Sequence, residues 1–143
     1  MNTEKLQVLI PILQKTDPSD FSMGNVVGWN WKEQKPNYCL IGLLYKEHHS
    51  GADHTTFAYM EGVEYMHKFL ETNHTEGRYV WDNKSYFLFG GQWSCRPELD
   101  TIDHALHRIN LILQGYEPKT IWEEVNSECA RLNLEPINNL LLS

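Results

Sequence analysis

Five of the seven histidines fall between positions 48 and 74, in HHSGADHTTFAYMEGVEYMHKFLETNH. Within that stretch His48, His49, Asp53 and His54 offer imidazole and carboxylate groups, a donor set suited to a divalent ion such as zinc, manganese or iron. The same residues allow a second chemistry, in which His49, Asp53 and His54 act on a phosphoester or nucleotide-like substrate with or without that ion. Their spacing fits no established metal motif, and a metal site usually draws a further ligand from a distant segment. A solvated loop rich in histidine accounts for the residues without any function and is the simpler expectation.

Further along, Glu64, His67, Glu71 and His74 step by three, four and three, which places them on one stripe of a helix. Such pairs raise histidine pKa values or hold a cation, although the edge of an amphipathic helix is also where Glu and His normally sit. His54-Thr55-Thr56-Phe57 has the form of half a two-histidine phosphoesterase signature, but no second copy follows. His104 and His107, with Asp103, lie on a helix whose exposed face is their expected place. No Walker loop, GxGxxG, GxSxG or HExxH is present. Of the three cysteines, Cys39 and Cys129 sit in core-like patterns and Cys95 in a loop beside Arg96. An odd count without CxxC spacing argues for free thiols and not for a disulfide framework or a zinc knuckle.

The aromatic residues form the other candidate set. Trp29, Trp31, Trp81 and Trp93 lie in or beside glycine-bearing segments, and large aromatics anchor both ligand pockets and protein interfaces. In an extended segment Trp29 and Trp31 point to one face, with Asn25, Asn30 and Gln92 as polar neighbours. Filling the core beneath loops is the simpler role for these rings; the alternative is a partner or small-molecule pocket formed by Trp29, Trp31 and Trp93. Arg78 and Arg96, with Arg108, are the cations available if the ligand is a nucleotide.

Charge narrows the partners. Twelve Lys and Arg against 19 Asp and Glu give a net charge of −7, so the long-range field repels phosphate backbones and anionic lipid. Duplex nucleic acid and membranes are poor partners; a basic protein or a small molecule fits better, and a homo-oligomer is compatible with the same features. The N-terminal apolar run is too short for a signal peptide, and no 18-residue apolar stretch exists, which points to the cytoplasm. Asn73-His74-Thr75 and Asn83-Lys84-Ser85 match the glycosylation acceptor pattern, which has meaning only on secretion.

These residues must be positioned by a chain of 143 residues, a common size for one domain spanning 1–143. Leu6, Leu9, Ile10 and Leu13 predict a short N-terminal helix over 3–15 with Thr3 as cap, bent by Pro11. Residues 21–37 show no period and read as an irregular segment or a strand pair around 26–31, and NYCLIGLLYK (37–46) reads as a central strand buried on both faces. An amphipathic helix follows to about Thr72, capped by Asp53 or Thr55. Two aromatic runs around Asp82-Asn83-Lys84 predict a hairpin over 77–91. Helices are expected over 101–114, capped by Asp100 and closed by Gly115, from Pro118 to before Pro136, and over 137–142. The fold class is α+β: a small, largely antiparallel sheet packed by about four helices, with a helical C-terminal third.

With no complete catalytic signature, the sequence favours an acidic cytoplasmic protein that acts by occupying or sequestering a partner, as inhibitor, immunity and anti-defence proteins do. The alternatives are a histidine- or metal-dependent hydrolase using His49, Asp53 and His54, and a module that sequesters a nucleotide in an aromatic pocket.

Overall fold

Pro11 decides how the N-terminus folds. Its missing amide leaves the Gln7 carbonyl without an α-helical donor, and its ring crowds that same carbonyl. The chain answers by breaking at Gln7 and Val8, not at the proline. Helix α1 covers Thr3–Leu6 with Asn2 as cap, helix α2 covers Leu9–Gln14, and the Ile10 amide donates to the Gln7 carbonyl across the break. Pro11 itself sits in the first turn of α2, where no donor is needed.

The structure is a computed structural model that describes residues 1–49, 59–72 and 81–137. After α2 come strands β1 (Val27–Asn30) and β2 (Lys35–Tyr38), then helices α3 (Leu40–His48), α4 (Tyr59–Leu70), α5 (Asn83–Phe89), α6 (Ile102–Leu113) and α7 (Ile121–Arg131). The strands form an antiparallel hairpin in which Val27 faces Tyr38 and Asn30 faces Lys35. Helices surround one hydrophobic core to which Leu6, Leu13, Leu44, Met66, Leu88 and Ile109 all contribute. The α+β class and the antiparallel sheet stand. Among the described residues no helix is long and apolar enough to cross a membrane.

Two expected strands are helices. Residues 37–46 leave β2 at Tyr38 and enter α3, with Leu40, Ile41, Leu43 and Leu44 all buried. An apolar run of this length reads equally as a buried strand or a buried helix turn, and leucine's helix propensity together with enclosure by α2 and α4 settles it. The hairpin expected over 77–91 is replaced in its described part by α5. Asp82, taken for a turn residue, caps that helix by accepting from the Ser85 amide at 2.7 Å. The caps of the last helices also move, to Thr101 for α6 and Thr120 for α7. Asp100 turns away to accept from the Met23 amide at 2.6 Å. Gly115, with φ of +94°, follows α6 as expected of a residue needing left-handed backbone. Helix α4 buries Val63, Met66 and Leu70 as its periodicity predicts, although Met60 lies exposed. The capping residues proposed for the start of that helix, the 77–80 limb of the hairpin and almost all of the 137–142 helix lie outside the described residues.

Gly42 fixes the approach of α3 to the hairpin. A Cβ there would lie 1.9 Å from the Val26 carbonyl oxygen, a distance that only backbone displacement could relieve. Helix propensity alone predicts that Gly42→Ala stabilises the protein by about 1 kcal/mol. The contact predicts the opposite sign, a loss of about 3 kcal/mol, and urea unfolding of the variant decides between them.

Candidate functional site

The hairpin carries the largest apolar groups that the described surface presents. Trp29 lies on β1 and Trp31 is the first residue of the turn that follows, with ring centroids 6.3 Å apart in an edge-to-face arrangement. Trp31 is 77% exposed and Trp29 44%. The tip is held by its own polar side chains: Asn30 Oδ1 accepts from the Glu33 amide at 3.0 Å, and Gln34 Nε2 donates to the Trp31 carbonyl at 2.6 Å. Asn30 Nδ2 also donates to the Ser19 carbonyl at 2.8 Å, and Lys35 pairs with Asp20 at 2.9 Å. Both contacts tie the hairpin to the 3-10 turn Pro18–Asp20. The two rings are thus displayed on a braced support.

The third tryptophan expected at this surface belongs elsewhere. Trp93 is wholly buried, its Nε1 donating to the Phe87 carbonyl at 2.8 Å, so it presents nothing to a ligand. Arg96 donates to the Glu135 carbonyl and braces the chain after α7. Arg78 lies outside the described residues.

His48 and His49 end α3 within an aromatic cluster. His49 stacks on Tyr45 at 4.0 Å and its Nδ1 donates to the Tyr45 carbonyl at 2.8 Å, while His48 Nδ1 meets the Tyr65 hydroxyl. Burial lowers the His48 pKa, and the neighbouring Glu47 opposes that only in part. Both rings are built into packing between α3 and α4. Asp53 and His54 lie outside the described residues. The stripe on α4 does not converge either: Glu64 pairs with Lys68, His67 is buried with Nδ1 against the Thr72 hydroxyl, and Glu71 accepts from Asn2. His74 is not among the described residues.

A polar cluster that sequence reasoning placed on an exposed helix face is in fact buried. His104 and Arg108 point inward from α6, with 4% and 0% exposure. One Arg108 Nη donates to His104 Nδ1, the other approaches the Leu88 carbonyl at 3.3 Å and Met23 Sδ at 3.5 Å, and the guanidinium lies 4.8 Å from the Trp93 ring centre. On the far side His104 Nε2 reaches Glu128 Oε2 at 3.0 Å, and that oxygen also receives Arg131 Nε at 2.9 Å. His107 Nε2 lies 3.4 Å from the same oxygen without the alignment of a hydrogen bond. Because Arg108 occupies the Nδ1 lone pair, His104 must carry its proton on Nε2 and is a neutral donor to Glu128. That tautomer also excludes Nε2 as a metal ligand. Among the described residues no three His, Cys, Asp or Glu side chains form a metal-binding group. The signal was present in the sequence, since His104 and Arg108 fall on the same arc as Ala105, Ile109 and Ile112.

The ionisation states follow from these contacts. Burial lowers the His104 pKa, and Arg108 lowers it further against the pull of Glu128. Burial alone would raise the Glu128 pKa, but the His104 and Arg131 hydrogen bonds outweigh it and hold the carboxyl at about 2. Burial brings Arg108 down to about 9, opposed by Asp100 and Glu128, so it remains a cation at neutral pH.

No protein-family model, curated protein or solved structure matches the chain.

His104 and Glu128 both have folded pKa values below their ordinary 6.5 and 4.5, so on acidification the unfolded chain takes up protons first. The stability they contribute is complete above those values, and it declines below 6.5 for His104 and between 4.5 and about 2 for Glu128. Urea midpoints measured across this range should fall in both windows. His104→Gln, which keeps a donor to Glu128 but does not titrate, should flatten the upper one.

Proposed function

We propose that this protein acts by binding: the Trp29 and Trp31 hairpin seats in an apolar slot of a protein partner that carries net positive charge, occupying or sequestering it as inhibitor or immunity proteins do. The observation that carries the reading is the exposure of two adjoining indole rings on a support braced by Asn30. Tryptophan is among the residues most enriched at energetic centres of interfaces, and exposed apolar groups grouped in this way are uncommon on surfaces that meet only water. The net charge of −7 supplies long-range attraction to a basic surface. At the hairpin itself Lys32 and Lys35 offset Glu33 and Asp20, so orientation comes from the rings and encounter from the whole-chain field.

The hydrolytic alternative with His49, Asp53 and His54 draws less support, because the described contacts of His49 are those of a ring stacked on Tyr45 and bonded to its carbonyl.

The reading is tested by comparing the proteins that the chain and its Trp29→Ala/Trp31→Ala variant retain from the source cell. The partner should bind the variant more weakly by about 2–4 kcal/mol and should weaken on both as salt rises. Alanine at His48, His49 and His54 should leave binding intact. Thermal unfolding should be nearly unchanged in the single Trp31→Ala variant, since that residue is 77% exposed, and its weaker retention of the partner is then not a folding effect. Retention that ignores both tryptophans, or that disappears with the histidines, overturns the proposal.

A further inference from the structure

A second candidate site lies away from the hairpin tip. Between α5, the segment 23–26 and the start of α3 is a cavity of about 320 Å³ whose walls include Asn25, Cys39, Trp81, Tyr86, Phe89 and Gly91. It opens to solvent where Asn25, Tyr86 and Gly91 are exposed. Its volume is at the small end of the range for small-molecule sites, about 300–1,000 Å³.

We infer that this cavity binds an uncharged planar heteroaromatic molecule of nucleobase or indole size. The aromatic side is built from Trp81 and Tyr86, whose rings are 5.4 Å apart and inclined at 32°. Trp81 is held from behind by buried His67, edge to face at 5.5 Å, so its ring is positioned before any ligand arrives. Stacking on such rings contributes about 1–3 kcal/mol per base and depends little on which base is present. The polar side is small. Among the described residues its one polar lining side chain, apart from the Tyr86 hydroxyl, the Trp81 indole and the Cys39 thiol, is Asn25, whose carboxamide carries both a donor and an acceptor.

Charge selects against nucleotides. Among the described residues no Lys, Arg, His, Asp or Glu side chain lines the cavity. Cys39 at its floor is a buried thiol, raised by desolvation to about 11 and therefore neutral. A phosphate or carboxylate drawn inside would lose water without gaining a counter-charge. Arg96, one of the cations considered for a nucleotide, is engaged at Glu135.

Gly91 supplies the means to fill the cavity without disturbing the fold. A Cβ at this position meets nothing nearer than the Met23 carbonyl at 3.9 Å, and the backbone there is not left-handed.

The test is a two-dimensional amide and indole NMR titration of the full chain with adenine, indole and adenosine monophosphate at millimolar concentrations. Adenine or indole should shift the amides of Gly24, Gly90 and Gly91 and the Trp81 indole, and the monophosphate should bind about tenfold more weakly than adenine, or worse. Gly91→Leu should abolish these shifts, and Trp81→Leu should weaken binding about tenfold or more, which keeps a second reading if the leucine at 91 impairs folding. Trp29→Ala/Trp31→Ala should bind adenine unchanged, separating this site from the docking hairpin. Absence of shifts with both heterocycles, equal binding of the monophosphate, or a Gly91→Leu protein that binds as before overturns the inference.

Discussion

Burying the Arg108 guanidinium obliges three separated segments to meet around it. An ion of this size loses several kcal/mol of hydration when taken from water, and only well-placed partners return it. Here the partners are the Leu88 carbonyl at the end of α5, the Met23 sulfur ahead of the hairpin, the His104 ring one turn earlier on α6, and the Trp93 face. Asp100 adds a carboxylate that lowers the potential around the cation while its own oxygen grips the Met23 amide. The arrangement joins the two halves of the chain through polar contacts, inside a core that is mainly aliphatic and aromatic. Replacement of such a network by apolar residues is often neutral or stabilising, so what it provides is a single register for α6 against α5 and α7.

The histidines divide along the same line. His104 is a neutral connector between a cation and a carboxylate, His67 is enclosed beside Trp81, and His48 and His49 complete an aromatic cluster. Each of these described imidazoles contributes a flat ring and one or two hydrogen bonds to packing. The surface that remains distinctive is aromatic: the indoles of Trp29 and Trp31 outside, and Trp81 with Tyr86 at the mouth of a cavity.

Local patterns in the sequence carried α4, α6 and α7, because each has a period near 3.6 and a short-range stop or start signal such as Gly115. The Trp29 and Trp31 pair was legible for a similar reason, since two rings so close in sequence meet without help from the rest of the fold, although Trp31 lies in the turn and not on the extended strand. What escaped were features decided by distant partners. Residues 40–44 are enclosed by α2 and α4, so their burial erased the periodicity that separates helix from strand. Asp82 and Asp100 are interchangeable as candidate caps on paper; only the location of the Met23 amide shows that Asp100 is diverted and Asp82 is not. Trp93 was misplaced because a tryptophan in a glycine-bearing segment looks the same whether a core or a ligand lies above it. His104 was assigned to water and Arg108 to a ligand on residue type, although their helical phase put them on the buried arc.

The Asn30 side chain has a consequence for rates. Its carboxamide spans the loop through Glu33 and the neighbouring turn through Ser19, so the ordering of the hairpin tip is completed during folding and not during encounter. On the proposed docking, a surface that receives Trp31 would meet rings whose support has already surrendered its conformational entropy. Changes at the rings then appear chiefly in how long a complex survives, while loosening the tip at Asn30 also penalises its formation.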